Sequence, residues 1–112
     1  MLKRIKRRYI ALEIDSEEAF SSKELMDALW SEVSRLFGEY GASQAGLTLI
    51  DYDEERKSAV VRVVHNALDM VRAALASVTR IREKPAALHI VTVSGTIKTL
   101  HKKMNPEKPV TR

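Results

Sequence analysis

Hydrophobic and polar residues alternate in four segments of the chain, and alternation with a period of two predicts β-strands. In the first segment, residues 6–14, the apolar side chains of Ile10, Leu12 and Ile14 point to one face. The charged residues 54–57 between the second and third segments predict a hairpin connection. The other three segments read AGLTLIDYD, SAVVRVVH and AALHIVTVS.

Apolar residues at helical spacing predict two helices between these strands. Ser21 and Glu24 form a Ser-x-x-Glu capping box at the start of the first helix, and Gly41 is suited to end it. Asn66 is predicted to cap the second helix, and Pro85 cannot continue it. The first apolar stripe comprises Leu25, Leu29, Val33, Leu36, Phe37 and Tyr40, widened by Met26 and Trp30. The second comprises Leu68, Val71, Leu75 and Val78.

The order of these elements, β-α-β-β-α-β, predicts an α+β fold of the ferredoxin-like type, which RNA-recognition domains share. Its four-stranded sheet is antiparallel, and two main helices cover one face. A short C-terminal helix is expected over residues 96–103. We expect one domain over residues 1–103 and a flexible tail over residues 104–112.

The sheet face that the helices leave open is expected to be polar, yet the third strand is apolar on both faces. Val60, Arg62 and Val64 point to the open face, and two of the three are valines. A C-terminal helix, a second copy of the chain or another protein would cover such a surface. The alternative is that valine is there only for its β-propensity. We therefore predict a protein interface at these three residues.

Charge is unevenly distributed along the 112 residues, although the net charge is only +4. Residues 1–12 carry five basic and no acidic groups, and residues 13–55 carry twelve acidic and two basic groups. Residues 56–112 carry twelve basic and three acidic groups. Segregation of this kind suggests a face that meets a polyanion. Without cysteines, a signal peptide or a membrane-length apolar run, we expect a cytoplasmic protein with no membrane contact.

Two basic groups are candidates for contact with nucleic acid. RNA-recognition domains stack bases on sheet aromatics, but here the first strand offers only Tyr9, so phosphate contacts are the expected mode. If the first and last strands pair antiparallel, the two groups converge. The alternative for each group is a solvated terminus. The first group is Lys3, Arg4, Lys6, Arg7 and Arg8, and the second is Lys98, Lys102 and Lys103.

The sequence carries no recognisable catalytic or metal motif. The segment SGTIKT has one glycine and lacks the Walker spacing, and the three histidines are scattered. We therefore predict no catalytic and no metal-binding residues. Two other functions remain open: a homodimeric regulatory or scaffolding domain of ferredoxin-like type without RNA, and an autonomous nuclease, which would need clustered carboxylates.

Four stretches occur together and in order: RRYIALEI, LFGEYGAS, VVRVVHNALDMVRAAL and VTVSGTIKTLHKK. Over residues 6–103 this combination resembles the archaeal ribonuclease P protein component 2, which is related to the eukaryotic Pop-five subunit. The more specific parts are VRAAL in the second helix and SGTIK after the last strand.

This resemblance implies a subunit of ribonuclease P, the endoribonuclease that removes 5′ leaders from precursor tRNA. The chain itself would not be catalytic and would bind no cofactor, because the ribonuclease P RNA supplies the active site with Mg²⁺ ions. The implied protein partner is a TIM-barrel-like subunit, component 3, in a heterotetramer. A homodimer of this chain is the other arrangement considered.

The segment after the last strand has two interpretations. Thr96 caps the last helix and leaves free N–H groups beside Lys98 for a phosphate, or Gly95 simply permits a sharp turn and nothing binds.

Overall fold

The structure, a computed structural model, describes residues 6–96 as a ferredoxin-like α+β fold, which confirms the predicted class. The four long strands form one antiparallel sheet in the order β2-β3-β1-β6. The elements are β1 (Arg7–Asp15), α1 (Ser22–Gln44), β2 (Thr48–Asp53), β3 (Ser58–Val64), a 3-10 turn (His65–Ala67), α2 (Leu68–Ser77), β4 (Arg80–Ile81), β5 (Lys84–Pro85) and β6 (Ala87–Ser94). Apart from Thr96, the predicted C-terminal helix and tail lie outside the described residues.

Strand β1 lies in the middle of the sheet, between β3 and β6, and it is correspondingly apolar. Ile10, Leu12 and Ile14 point toward the helices and are buried with Leu25 and Leu29 of α1. The alternating pattern therefore predicted the inner face of this strand correctly. Neither helix within residues 6–96 is long and apolar enough to cross a membrane.

The predicted capping box at the start of α1 is confirmed. Ser21 Oγ accepts a hydrogen bond from the Glu24 backbone N–H at 3.2 Å, and Glu24 Oε1 accepts one from the Ser21 N–H at 2.8 Å. Each bond satisfies a backbone donor that the first helical turn leaves without a partner.

Replacing Ser21 by alanine is expected to lower the free energy of unfolding by about 1 kcal/mol, because the Glu24 N–H loses its acceptor. Urea unfolding followed by circular dichroism measures the change. Ser22→Ala is the matched control, since Ser22 is also exposed but belongs to the helix and has no capping role. Equal losses in the two variants would contradict the contribution of the box.

The second half of α1 departs from the prediction. Gly38 has non-helical angles (φ 82°, ψ 165°), so the helix is kinked there and then continues past Gly41 to Gln44. Leu36, Phe37 and Tyr40, predicted to be buried, are 37%, 42% and 78% exposed. The predicted stop at Gly41 is therefore wrong, and the predicted buried stripe ends at Val33.

The region around α2 also differs from the prediction. Asn66 lies inside the 3-10 turn, and the residue before α2 is Ala67, which makes no side-chain cap. Helix α2 ends at Ser77, before the segment containing Pro85, and β4 and β5 form a small unpredicted hairpin. Its two turn residues, Arg82 and Glu83, both have positive φ (53° and 66°), the backbone conformation that Asn-Gly pairs usually supply.

Candidate nucleic-acid interface

The pairing of β1 with β6 brings the start of the first strand to the end of the last. Tyr9 is opposite Ser94, and a Cβ atom placed on Gly95 would lie 3.5 Å from Nη1 of Arg8. The Arg8 guanidinium therefore lies over the Gly95 backbone. The antiparallel pairing of the first and last strands is confirmed, whereas the convergence of the two basic groups stays a prediction, because the second group lies outside the described residues.

The cationic side chains at this end of the sheet are accessible. Lys6 and Arg7 are exposed and Arg8 is half-buried, with Arg8 Nη1 donating a hydrogen bond to the Arg7 carbonyl at 3.0 Å. None of the ion pairs within residues 6–96 involves these three side chains. Their positive charges are therefore available to an anion.

Lys3, Arg4, Lys98, Lys102 and Lys103 lie outside the described residues. The backbone at the start of β1 is anchored, since the His65 N–H donates to the Lys6 carbonyl at 2.7 Å. The described part of the site is therefore a fixed strand end that presents three cations.

The centre of the sheet face that the helices leave open is not accessible to solvent. Ala11 and Val60 form a small buried cluster, at 0% and 3% exposure, and Tyr9 packs against it. Val64 is half-buried and approaches the α1–β2 connection, where a Cβ on Gly46 would lie 2.8 Å from its Cγ2. The predicted protein interface at Val60, Arg62 and Val64 stays a prediction, but in this conformation Val60 offers almost no surface.

Arg62 is the polar residue of that face. It pairs across the sheet with Tyr9 on one side and Thr48 on the other. Its Nε is buried and makes no hydrogen bond within the described part of the structure. A buried donor without an acceptor is costly, so a rearrangement of the Arg62 side chain that brings Nε to an acceptor would be favourable.

The described residues show no grouping suited to metal chemistry. Within residues 6–96 no three His, Asp or Glu side chains lie together in a way that could hold a metal ion. His65 and His89 are both exposed, and His89 Nε2 lies 3.6 Å from an Asp15 carboxylate oxygen.

Comparisons with known proteins extend over most of the chain. The profile of the Rpp14/Pop5 family matches residues 8–105. The ribonuclease P protein component 2 of Pyrococcus furiosus is 36% identical over 100 residues, covering 89% of this chain and 83% of that protein. The protein of the same name from Methanosarcina mazei is 33% identical over 107 residues, covering 96% and 90%.

Among solved structures, a chain in the cryo-EM structure of yeast ribonuclease MRP superposes with a TM-score of 0.71. The match covers 96% of this chain and 95% of that chain at 17% sequence identity. At this identity the similarity supports the fold.

Proposed function

Because the chain belongs to the Rpp14/Pop5 family, we propose that it is a noncatalytic protein subunit of ribonuclease P, which removes 5′ leaders from precursor tRNA. The observation that carries this proposal is the family match over residues 8–105. Relatives named ribonuclease P protein component 2 support it, because the matches span 83% and 90% of the first two.

In this role the subunit stabilises the ribonuclease P RNA by contacting phosphates. Lys6, Arg7 and Arg8 sit on an anchored strand end and are free of ion pairs within residues 6–96. Cations held in this way release counterions when they bind phosphates, which favours RNA binding at low salt. The described part of the sheet offers Tyr9 alone on the open face of β1, so base stacking contributes little.

The cleavage chemistry is assigned to the RNA. The described residues hold no carboxylate cluster of the kind an autonomous nuclease needs to bind metal ions. We propose that Mg²⁺ ions bind the RNA, and that precursor tRNA meets the protein only within the assembled particle. Such a particle would act in the cytoplasm.

The proposed protein partner is the TIM-barrel-like subunit, component 3, in a heterotetramer. Arg62 supports this assignment, because its buried Nε has no acceptor within the described residues, and a carbonyl or carboxylate of a partner would supply one once the side chain turns outward. Val64 is the accessible apolar neighbour on the same strand. A homodimer of this chain is the competing arrangement on that surface.

Reconstitution tests the proposed function. Ribonuclease P RNA and the TIM-barrel-like subunit are combined with and without this chain, and cleavage of precursor tRNA is measured at limiting Mg²⁺. We expect this chain to raise the cleavage rate by at least tenfold, and to cleave nothing when the RNA is omitted. Cleavage by the isolated chain, or no effect of its addition, would reject the proposal.

A further inference from the structure

A second cationic surface lies in a groove between α1 and the segment that joins α2 to β4. The groove has a volume of about 420 Å³. Three arginines line it: Arg35 from α1, Arg80 from β4 and Arg82 from the hairpin turn. The remaining lining residues are mostly small, namely Ala28, Ser31, Glu32, Ser77, Val78 and Thr79.

One of these arginines is neutralised inside the groove. Arg35 Nη2 and Nε donate to the two carboxylate oxygens of Glu32 at 2.6 and 3.1 Å. These hydrogen bonds lower the pKa of the Glu32 carboxyl, which therefore stays charged and keeps Arg35 engaged.

The other two arginines keep donors available. Arg80 is exposed and takes part in none of the ion pairs within residues 6–96. Arg82 Nε lies 3.5 Å from a Glu24 oxygen, and its side chain is still 68% exposed. A guanidinium has five N–H donors, so a single distant contact leaves most of them free for an anion.

The wall of the groove that carries these arginines is held in place. On the far side of the hairpin, Ser16 Oγ donates to the Pro85 carbonyl at 2.9 Å, and Lys84 Nζ lies 3.2 Å from Glu18 Oε1. Arg82 and Glu83 adopt the left-handed backbone conformation that a tight two-residue turn requires. The hairpin therefore presents Arg80 and Arg82 from a rigid position, which reduces the entropy lost when a ligand binds.

This groove is separate from the cations at the start of β1. Asp15 at the other end of β1 pairs with Ala87, the first residue of β6, which lies two residues after the end of the hairpin. The eight residue steps from Arg7 to Asp15 span about 26 Å of extended chain. One phosphate group cannot contact both places, so the two surfaces act independently.

We propose that this groove is a second phosphate-binding site, which takes the sugar-phosphate backbone of RNA. The inference rests on the proposed function and adds a contact at the opposite end of the sheet. Guanidinium groups bind phosphate oxygens through paired hydrogen bonds, and the hydroxyl groups of Ser31 and Thr79 suit phosphate and ribose oxygens. The small residues that line the groove leave room for an RNA backbone to enter between the arginines.

The test compares the salt dependence of RNA affinity for the full chain and for Arg80→Ala/Arg82→Ala. Each is titrated with a transcript of ribonuclease P RNA at several salt concentrations. Two lost phosphate contacts are expected to reduce the slope of log K against log salt by about 1.4. Arg56→Ala/Arg72→Ala removes the same charge from exposed positions outside the groove and is expected to reduce the slope less.

The outcomes separate the groove from the function as a whole. If the full chain binds RNA and Arg80→Ala/Arg82→Ala has the same slope as the control, the groove inference is wrong and the proposed function stands. The groove inference is also wrong if the variant keeps its affinity for RNA and loses only its binding to the TIM-barrel-like subunit, since the groove then binds an acidic protein. A full chain without affinity for the RNA would reject the proposed function itself. Thermal unfolding verifies the fold, and Arg80→Ala alone, which breaks no described ion pair, is expected to show half the effect.

Discussion

Replacing Arg4, Arg7 and Arg8 by alanine is expected to weaken binding to ribonuclease P RNA by about 100-fold at 0.1 M salt. Each lost single-strand phosphate contact reduces the slope of log K against log salt by about 0.7, so three lost contacts reduce it by about 2. If the two proteins bind equally at 1 M salt, a slope smaller by about 2 makes the variant bind about 100-fold more weakly at 0.1 M. Arg7 and Arg8 lie at the start of β1, beside the end of β6, and take part in no described ion pair. Arg4 lies outside the described residues. Filter binding or fluorescence anisotropy across a salt series measures both quantities.

The charge-conserving variant Arg4→Lys, Arg7→Lys, Arg8→Lys is the control. It keeps three positive charges, so the salt slope is expected to stay near that of the parent chain, although paired hydrogen bonds to phosphate are lost. An alanine variant with an unchanged slope would show that these arginines do not touch the RNA. Because the groove lies toward the other end of β1, which is about 26 Å long, its contribution is expected to add to theirs independently.

Local sequence signals predicted the parts of the fold that depend on neighbouring residues. Alternating apolar positions in β1 identified Ile10, Leu12 and Ile14 as core residues, and the Ser21–Glu24 box located the start of α1. Both signals depend on residues that are close together in the chain, so the sequence alone contains their physical cause. The fold class followed from the order of the elements, because short connections and a shared core leave few arrangements.

Signals that depend on the tertiary structure were missed. Gly38 and Gly41 both fit a helix end by type, and only the packing of the completed domain decides that the kink is at Gly38. Phe37 before the kink and Tyr40 after it are 42% and 78% exposed, so helical spacing alone overestimated the buried stripe. The hairpin went unrecognised because Arg82-Glu83 is not a usual turn pair.

The candidate site was predictable only in part. The basic run that includes Arg7 and Arg8 is contiguous, so composition was enough to select it. In the groove, Arg80 and Arg82 are two residues apart in the chain, but Arg35 and the other lining residues of α1 come from a distant segment. Only the folded chain brings α1 beside this arginine pair, so the groove as a whole has no local sequence signal.

Replacing Val60 by aspartate is expected to destabilise the folded chain by about 3 kcal/mol or more, since an unpaired charge would be buried. The sequence alone suggests that this change would affect only association with a partner. The structure alters that expectation, because Val60 is 3% exposed and packs with Ala11 in the small cluster on the open face. Urea unfolding of the purified variant measures the loss, which is expected to shrink at acidic pH as the introduced carboxyl group becomes protonated.

Val91→Asp is the matched control for that experiment. It is the same change in β6, which is separated from β3 by β1 in the same sheet, but Val91 is 48% exposed, so its loss is expected to stay within about 0.5 kcal/mol. If both variants unfold at the same urea concentration, the centre of the open face is accessible to solvent and can receive a partner at Val60. If Val60→Asp alone loses stability, a protein partner on this face has to bind through Arg62 and Val64, because Val60 is then already used by the fold of the chain itself.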